Sequence, residues 1–306
     1  MNVLFISEDT SRFITKNYHY LEQELNQFVN LTCYRKSGHI NSILRQLHKR
    51  PDFILLLNDM ERHISPLIKG LQHIDIPVGL FVNDVHRFTK RRKNDIQKFN
   101  IPHLFTVVRD PFLKAYPEMK DKMEWFPHFI HPKIYKDYGM KRDIPMLMMG
   151  AVNEVYPLRK KIKDFYADDK RFLYYSHPGY RHFSKDEEQH LFVGTNYAQL
   201  LNRAKIFFTS PSIYQYPVLK YFEALACKTL LLAPTFKELE DLGFIPDYHF
   251  VAITEKNFSE KAAYYLNNDA ERMKITEQGY QFVHSNHTLH IRTKQLIQRM
   301  KHLISK

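Results

Sequence analysis

The stretch IFFTSPSIYQYPVLKYFEALACKTLLLAP, residues 206–234, decides how this chain reads as a fold. Ile206–Thr209 and Thr229–Leu232 are short apolar runs of the kind buried on both faces of a parallel sheet. Between them Val218, Phe222, Leu225 and Ala226 recur at helical spacing, and Pro217 suits a first helical turn, so a helix is expected over Pro217–Cys227. The free backbone N–H groups of such a helix start face the carboxyl end of the preceding strand, which makes a seat for a phosphate or pyrophosphate. Tyr216, Pro217, Val218 and Lys220 are candidate contacts to that group, Ser212 lies in the turn before them, and Glu223 is placed to reach sugar hydroxyls.

The same rhythm runs outward in both directions. Asn2–Ile6, Leu31–Tyr34, Phe53–Leu57, the IPVGLFV run before Asn83-Asp84 and the HLFTVV run before Arg109-Asp110 read as strands, with helices at about Arg12–Phe28 and Ile40–Lys49. Several end in polar pairs: Asn58-Asp59, Asn83-Asp84 and Arg109-Asp110. After MEWFPHFIHPKIY, a strand and a proline-punctuated crossing, the charged run Asp137–Asp143 reads as a linker. Beyond it six strands are expected: Met146–Gly150, Phe172–Ser176, His190–Gly194, Ile206–Thr209, Thr229–Ala233 and His249–Ile253. Helices are expected over Pro157–Tyr166, Tyr197–Arg203, Ala270–Val283 and Leu289–Ile304; Thr235 with Glu238, and Asn257 with Glu260, read as helix-starting caps. Apolar strands alternating with helices imply an α/β chain of doubly wound parallel sheets, with ligands outside the strand carboxyl ends.

Several classes are disfavoured. With 306 residues the size suits two domains of about 150 residues each. There is no GxGxxG fingerprint and no Walker loop, against NAD enzymes and P-loop kinases. Two distant cysteines suggest neither disulfides nor a zinc site, and a reducing cytoplasm is the expectation. MNVLFIS reads as a strand rather than a signal peptide, and no apolar run is long enough to span a membrane. The histidines show no HExxH spacing and no DxD motif is present, so neither a metal nor another cofactor is expected. A net charge of +12 implies attraction to polyanions, and the run Arg87–Lys93 holds five cations in seven residues, a pattern most often a solvated helix face.

PSIYQYPVLKYFEALACK resembles the nucleotide-sugar motif of retaining GT-B glycosyltransferases, in which two glutamates with seven residues between them precede a small-residue stretch ending Ala-Cys-Gly. Glu223 matches the second glutamate; Gln215 stands at the first, and Lys228 stands in place of the glycine. Asn286-His287-Thr288 and Arg292 are similar to the tail of the CgeB-like, spore-maturation branch, related to group 1 glycosyltransferases. The resemblance implies two Rossmann-like domains facing across a cleft: residues 1–136 on the acceptor side, a linker at 137–143, a nucleotide-sugar domain at 144–285, and a terminal helix, 286–306, packing back on the first domain. It implies a metal-independent, retaining transfer from a nucleotide-diphospho-sugar, UDP-sugar by default, with Glu223 on the ribose. Gln215 would meet the donor sugar or phosphate, although an amide carries no charge.

The remaining candidates surround that motif. Gly150 permits close backbone approach at a strand end, Asn153 follows it, and Arg159 is placed to grip a diphosphate in a bidentate manner. His177 and Gly179, in SHPGY, form a turn where the base or ribose rests. In the first half Asp84 and His86, in NDVHR, are candidates to act as acceptor-side base or to orient the donor sugar, with Ser7 and Glu8 as weaker ones, and the resemblance makes His128 and His131 candidates for the interdomain cleft. The acceptor stays open. Two further readings stand beside the first: a transferase acting on DNA or another polyanionic polymer, and a degenerate nucleotide-sugar-binding protein. Oligomeric state is not legible.

Overall fold

The computed structural model describes residues 1–57 and 66–305, so the Asn58-Asp59 strand exit lies outside the described residues. The chain forms two compact units: Met1–Ser11, Asn17–Pro127 and His290–Lys306 make the first, Arg12–Lys16 and His128–Leu289 the second. The division falls at Pro127–His128, ahead of the charged run at 137–143. That run is built into the second unit, where Arg142 donates to the carbonyls of Ala204 (2.8 Å) and Cys227 (3.2 Å).

The first unit is a six-stranded sheet of β1 (Asn2–Ile6), β2 (Asn30–Tyr34), β3 (Phe53–Leu57), β4 (Val78–Val82), β5 (His103–Thr106) and β6 (Met123–Trp125). All pairings are parallel, in the order β2-β1-β3-β4-β5-β6. β3 and β4 are buried at every position, as unbroken apolar runs demand of strands covered on both faces. Helices α1 (Asn17–Leu25), α2 (Ile40–Arg45), α3 (Thr89–Lys98) and α4 (Asp110–Ala115) connect them. The terminal helix runs Leu289–Ile304, and from His290 onward it belongs to this unit: Arg299 makes two 2.6 Å bonds to Glu124, and His290 pairs with Glu24 at 2.8 Å.

The second unit repeats the plan with β7 (Ile144–Met149), β8 (Phe172–Tyr175), β9 (Ala204–Phe208), β10 (Leu230–Ala233) and β11 (Val251–Ala252), again parallel, in the order β8-β7-β9-β10-β11. Leu147 pairs with Phe207 and Ile206 with Leu230 in the sheet. The strand order reverses between β7 and β9, and a doubly wound sheet opens a crevice at such a point. In chain order this unit's helices are α5 (Pro157–Phe165), α6 (Lys185–His190), α7 (Gly194–Arg203), α8 (Leu219–Ala226), α9 (Lys237–Asp241), α10 (Phe258–Asn267) and α11 (Asp269–Asn286). Helix α8 joins β9 to β10, and all of Tyr221 to Ala226 is buried. Across it lies α11, so close that a Cβ on Gly279 would sit 2.2 Å from the His249 carbonyl and 2.7 Å from Leu225 Cδ2.

Some expectations are corrected. His190–Gly194 is not a strand, so the sheet has five strands rather than six: Ser184 and Glu187 form a full capping box that starts a helix over Lys185–His190, and Gly194, at φ +53°, opens the next. The apolar residues between are a connector, with Phe192 against the Tyr175 ring at 4.6 Å. α8 starts at Leu219, two residues after Pro217, because Val218 keeps extended backbone and occupies the cap position. Thr235 caps nothing: Phe236 holds the cap position of the helix at Lys237–Asp241, and the Thr235 hydroxyl donates instead to Glu240 (2.8 Å). Asn257 holds a cap position, but its side chain turns back to accept from Thr254 N (2.7 Å).

Candidate functional site

Five of the residues singled out in the sequence meet at the crevice between β7 and β9. Gly150 ends β7 with φ +127°, a conformation open to glycine, and its backbone N–H bonds the Tyr175 carbonyl (3.0 Å). A Cβ there would lie 3.0 Å from Arg159 Nη1 and 3.3 Å from Lys220 Cε, so the missing side chain is what lets the two cations close on one spot.

Arg159 comes from the helix that follows β7, α5 (Pro157–Phe165). It is 3% exposed, its guanidinium carbon lies 3.8 Å over the Tyr156 ring, and it donates to the carbonyls of Ser210 (2.7 Å) and Ala151 (3.5 Å). No carboxylate pairs with it among the described residues, and burial pushes its guanidinium below the usual range. Lys220, in the first turn of α8, is partly buried with its ammonium 5.9 Å from the Tyr197 ring centre. Burial and the neighbouring Arg159 lower it to about 8, against the pull of Glu223, which favours the charged form.

Glu223 lies one turn further along α8 and is 8% exposed. Burial raises its carboxyl, opposed by Lys220 and by the hydroxyls of Tyr135 and Tyr197. His177 feels the same two cations: burial, then Lys220 and Arg159, push its imidazole down to about 4. Its Nδ1 accepts the Gly179 backbone N–H (3.0 Å), and Tyr180, 67% exposed, packs its ring 4.5 Å from the imidazole. On the elements that carry the cluster, Arg159 Nε, Thr209 Oγ1 and Ser210 Oγ are buried without a hydrogen-bond partner. Buried polar atoms are costly unless paired, so this concentration marks a place where a ligand supplies the partners.

The cluster has two cations, one buried carboxylate and a neutral imidazole, walled by tyrosine rings. Its electrostatics suit a compact anion held by charge-assisted hydrogen bonds. Tyr135, Tyr156, Tyr197, Thr209 and Ser210 escape a sequence reading. Only the Thr209-Ser210 pair carried a signal, a polar step directly after an apolar strand.

Other expected residues take different positions. Ser212 is buried and its hydroxyl accepts from Tyr214 N (3.2 Å); Asn153 is spent on a local turn, accepting from Val155 N (3.1 Å). Gln215 is exposed at the apex of a turn, at φ +59°, its N–H on the Ser212 carbonyl. Tyr216, Pro217 and Val218 form the extended lead into α8, where Val218 N bonds Tyr216 O (2.8 Å). Lys228 sits at the other end of α8. It holds the left-handed residue (φ +55°) that closes a helix, with Lys228 N on Leu225 O and Thr229 N on Ala224 O, and its ammonium pairs with Glu277 (2.9 Å) and Asp137 (3.4 Å). The family's glycine is thus replaced at a capping position.

Asp84 and His86 belong to the first unit. Asp84, at φ +40°, has its carboxyl raised by burial against the opposing pull of Arg92; His86 is exposed and lowered by partial desolvation and by Arg92. Arg92 corrects the reading of Arg87–Lys93 as a solvated face. It is 2% exposed and donates to Arg87 O (2.9 Å) and the Tyr116 hydroxyl (2.8 Å). Ser7 is buried against Glu22 (2.5 Å), which Arg35 clamps with bonds of 2.9 and 2.6 Å. In the second unit His128 lies against the Phe222 ring, and His131 Nδ1 accepts from Lys133 N (3.4 Å). Among the described residues no helix is long and apolar enough to cross a membrane, and no group of ligating side chains is arranged to hold a metal ion.

Comparison with known proteins agrees with this architecture. Residues 155–298 match the family described as Glycosyl transferase-like. A search of curated proteins finds no match. Among solved structures, sucrose-phosphate synthase from Thermosynechococcus elongatus superposes with a TM-score of 0.65 at 11% identity, covering 100% of this chain and 99% of that one. Anabaena HepE in complex with UDP gives 0.68 at 9%, covering 98% and 100%. A glycosyltransferase from Rickettsia africae gives 0.62 at 10%, covering 100% and 98%. Identities this low speak for the fold, while the family match covers the segment that carries Arg159, His177, Lys220 and Glu223. The chain thus has the GT-B fold, and its segment 155–298 matches the Glycosyl transferase-like family.

Proposed function

We propose that the chain transfers a sugar from a UDP-sugar to an acceptor hydroxyl, without a metal ion and with retention of configuration, and that it stands with the CgeB-like branch. The observation that carries this reading is the closure of Arg159 and Lys220 on Gly150 at the β7–β9 crevice. HepE, with which the chain shares its fold, holds UDP. In the reaction the bond from the anomeric carbon to the β-phosphate oxygen breaks, the acceptor oxygen bonds that carbon, and the acceptor proton leaves to a base. Negative charge grows on the departing diphosphate, and Arg159, Lys220 and the first N–H groups of α8 stabilise it where water is largely excluded. Glu223 keeps Lys220 charged and takes the ribose hydroxyls; Asp84, whose carboxyl is raised by burial, serves the acceptor side. The free cysteines, one of them buried, fit a reducing cytoplasm.

Gln215 supports a second reading, binding without transfer, because a neutral amide stands at the apex where the resembled motif has a carboxylate. Calorimetry with UDP and UDP-glucose, on the natural protein and on Arg159→Met with Lys220→Met, tests the donor site. Binding lost in the double variant is expected; no binding by the natural protein removes the assignment. Release of UDP from UDP-glucose over hours then separates transferase from binder, and proton NMR of the product anomer tests retention.

A further inference from the structure

The formal charge is unevenly shared. The segments of the first unit carry 22 Lys and Arg against 14 Asp and Glu, a net of +8 out of the chain's +12. Within that unit the cations concentrate on α3, and they divide by function. Arg92 is buried, and Lys93 is paired with Glu118 (2.8 Å) over the Tyr116 ring. Lys90 faces solvent, and Arg91 is 61% exposed with only a 3.9 Å contact to Asp95. Beside them Phe88 stands 42% exposed, held at φ +50° at the head of α3. Phe88, Thr89, Lys90, Arg91, Asn94 and Asp95 line a shallow depression. The Phe88 ring, on a left-handed backbone uncommon for an aromatic residue, has the Arg87 guanidinium 5.5 Å from its centre and the exposed Lys90 and Arg91 two and three residues on, which sets an apolar face among cations.

We propose that this face of α3 docks an anionic saccharide polymer, and that this polymer carries the acceptor hydroxyl. The inference rests on the transferase reading, since it names what receives the sugar. Lys90 and Arg91 meet the repeating anionic groups, and the Phe88 ring meets the apolar C–H face of a sugar. Nucleic acid fits less well. Single strands are held on successive aromatic platforms, one per stacked base, and the lining of this depression offers one ring.

The test uses the full chain with dextran sulfate, neutral dextran and a single-stranded oligothymidylate matched in charge to the dextran sulfate, at several salt concentrations. Dextran sulfate is expected to bind more tightly than the oligothymidylate. In Lys90→Glu with Arg91→Glu the slope of log affinity on log salt becomes shallower by about two, on the scale of about 0.9 per ionic contact known for nucleic acids. Phe88→Asn, which tolerates the left-handed backbone, weakens dextran sulfate binding several-fold and leaves the slope unchanged. Oligothymidylate binding as tightly as dextran sulfate, or affinity unmoved by the charge reversal, overturns the proposal. UDP calorimetry on the same variants keeps the two readings apart: UDP bound normally while the polymer is ignored sinks the α3 assignment alone, and UDP ignored by the natural protein sinks the donor site.

Discussion

Arg159 and Lys220 reach one point from two different helices, their side chains 3.0 and 3.3 Å from where a Cβ on Gly150 would stand. Two cations that close repel each other unless something anionic or strongly polar separates them. Here the repulsion is offset in part by the Ser210 carbonyl, which accepts from Arg159, and by the Glu223 carboxylate, which favours the charged form of Lys220.

Gly150→Ala places a methyl group between the two cations and strains a backbone at φ +127°. UDP affinity is expected to fall tenfold or more, roughly 1.4 kcal/mol at the least, while circular dichroism stays unchanged. Calorimetry reads the first and the spectrum the second. Full affinity in a folded variant contradicts the geometry.

At the proposed donor site, UDP affinity is expected to depend on Lys220, which burial holds at about 8. The anion favours charged Lys220, so binding is strongest below pH 8 and weakens above it, by up to about tenfold per pH unit. Titrations between pH 6.5 and 9.5 check this. Lys220→Arg flattens the profile, because a guanidinium stays charged throughout.

Burial lowers His177, to about 4, and also His249 and His284 from their usual value of 6.5. The folded protein therefore binds fewer protons than the unfolded chain between these values and 6.5. The stability these neutral rings allow is complete above pH 6.5 and is lost as pH falls below it, on the order of 1–2 kcal/mol by pH 5. Urea melts at pH 7.5 and 5.0 measure the loss, and His249→Asn with His284→Asn reduces the difference.

Gly279→Ala adds a methyl group where the His249 carbonyl and the Leu225 side chain leave no room. Overpacking between α8 and α11 costs about 1–3 kcal/mol in urea unfolding. Because α8 carries Lys220 and Glu223, UDP affinity falls with it. An unchanged melting midpoint would falsify the packing argument.

Lys228→Gly relieves a left-handed lysine, worth about 1 kcal/mol, and removes two partly exposed ion pairs of similar size. Stability is expected to stay within about 1 kcal/mol and UDP affinity to stay unchanged, as read by melting and calorimetry on one preparation. Improved or lost binding would show that this end of α8 reaches the site.

Much of this protein is legible in its residue order. β1 and β3 fall where continuous apolar runs place them, because a strand covered on both faces tolerates little else. The β9–α8–β10 unit follows from its own periodicity, and Gly150, Arg159, His177, Lys220 and Glu223 are visible as chemistry at strand exits and helix starts. Local competition defeated the reading at His190–Gly194, where a capping box outweighed a short apolar run, and at Pro217, where the turn through Gln215 kept two more residues extended.

The tertiary structure alone decided which candidates meet. The order β8-β7-β9 sets the exits of β7 and β9 side by side, so residues 150, 159, 210 and 220, far apart in the chain, share one crevice. It also separated the cations of Arg87–Lys93 into a buried arginine and an exposed pair, a distinction that composition cannot make. The physical reason is that periodicity reports which face of an element is buried, whereas the partner of a buried charge depends on which strands become neighbours.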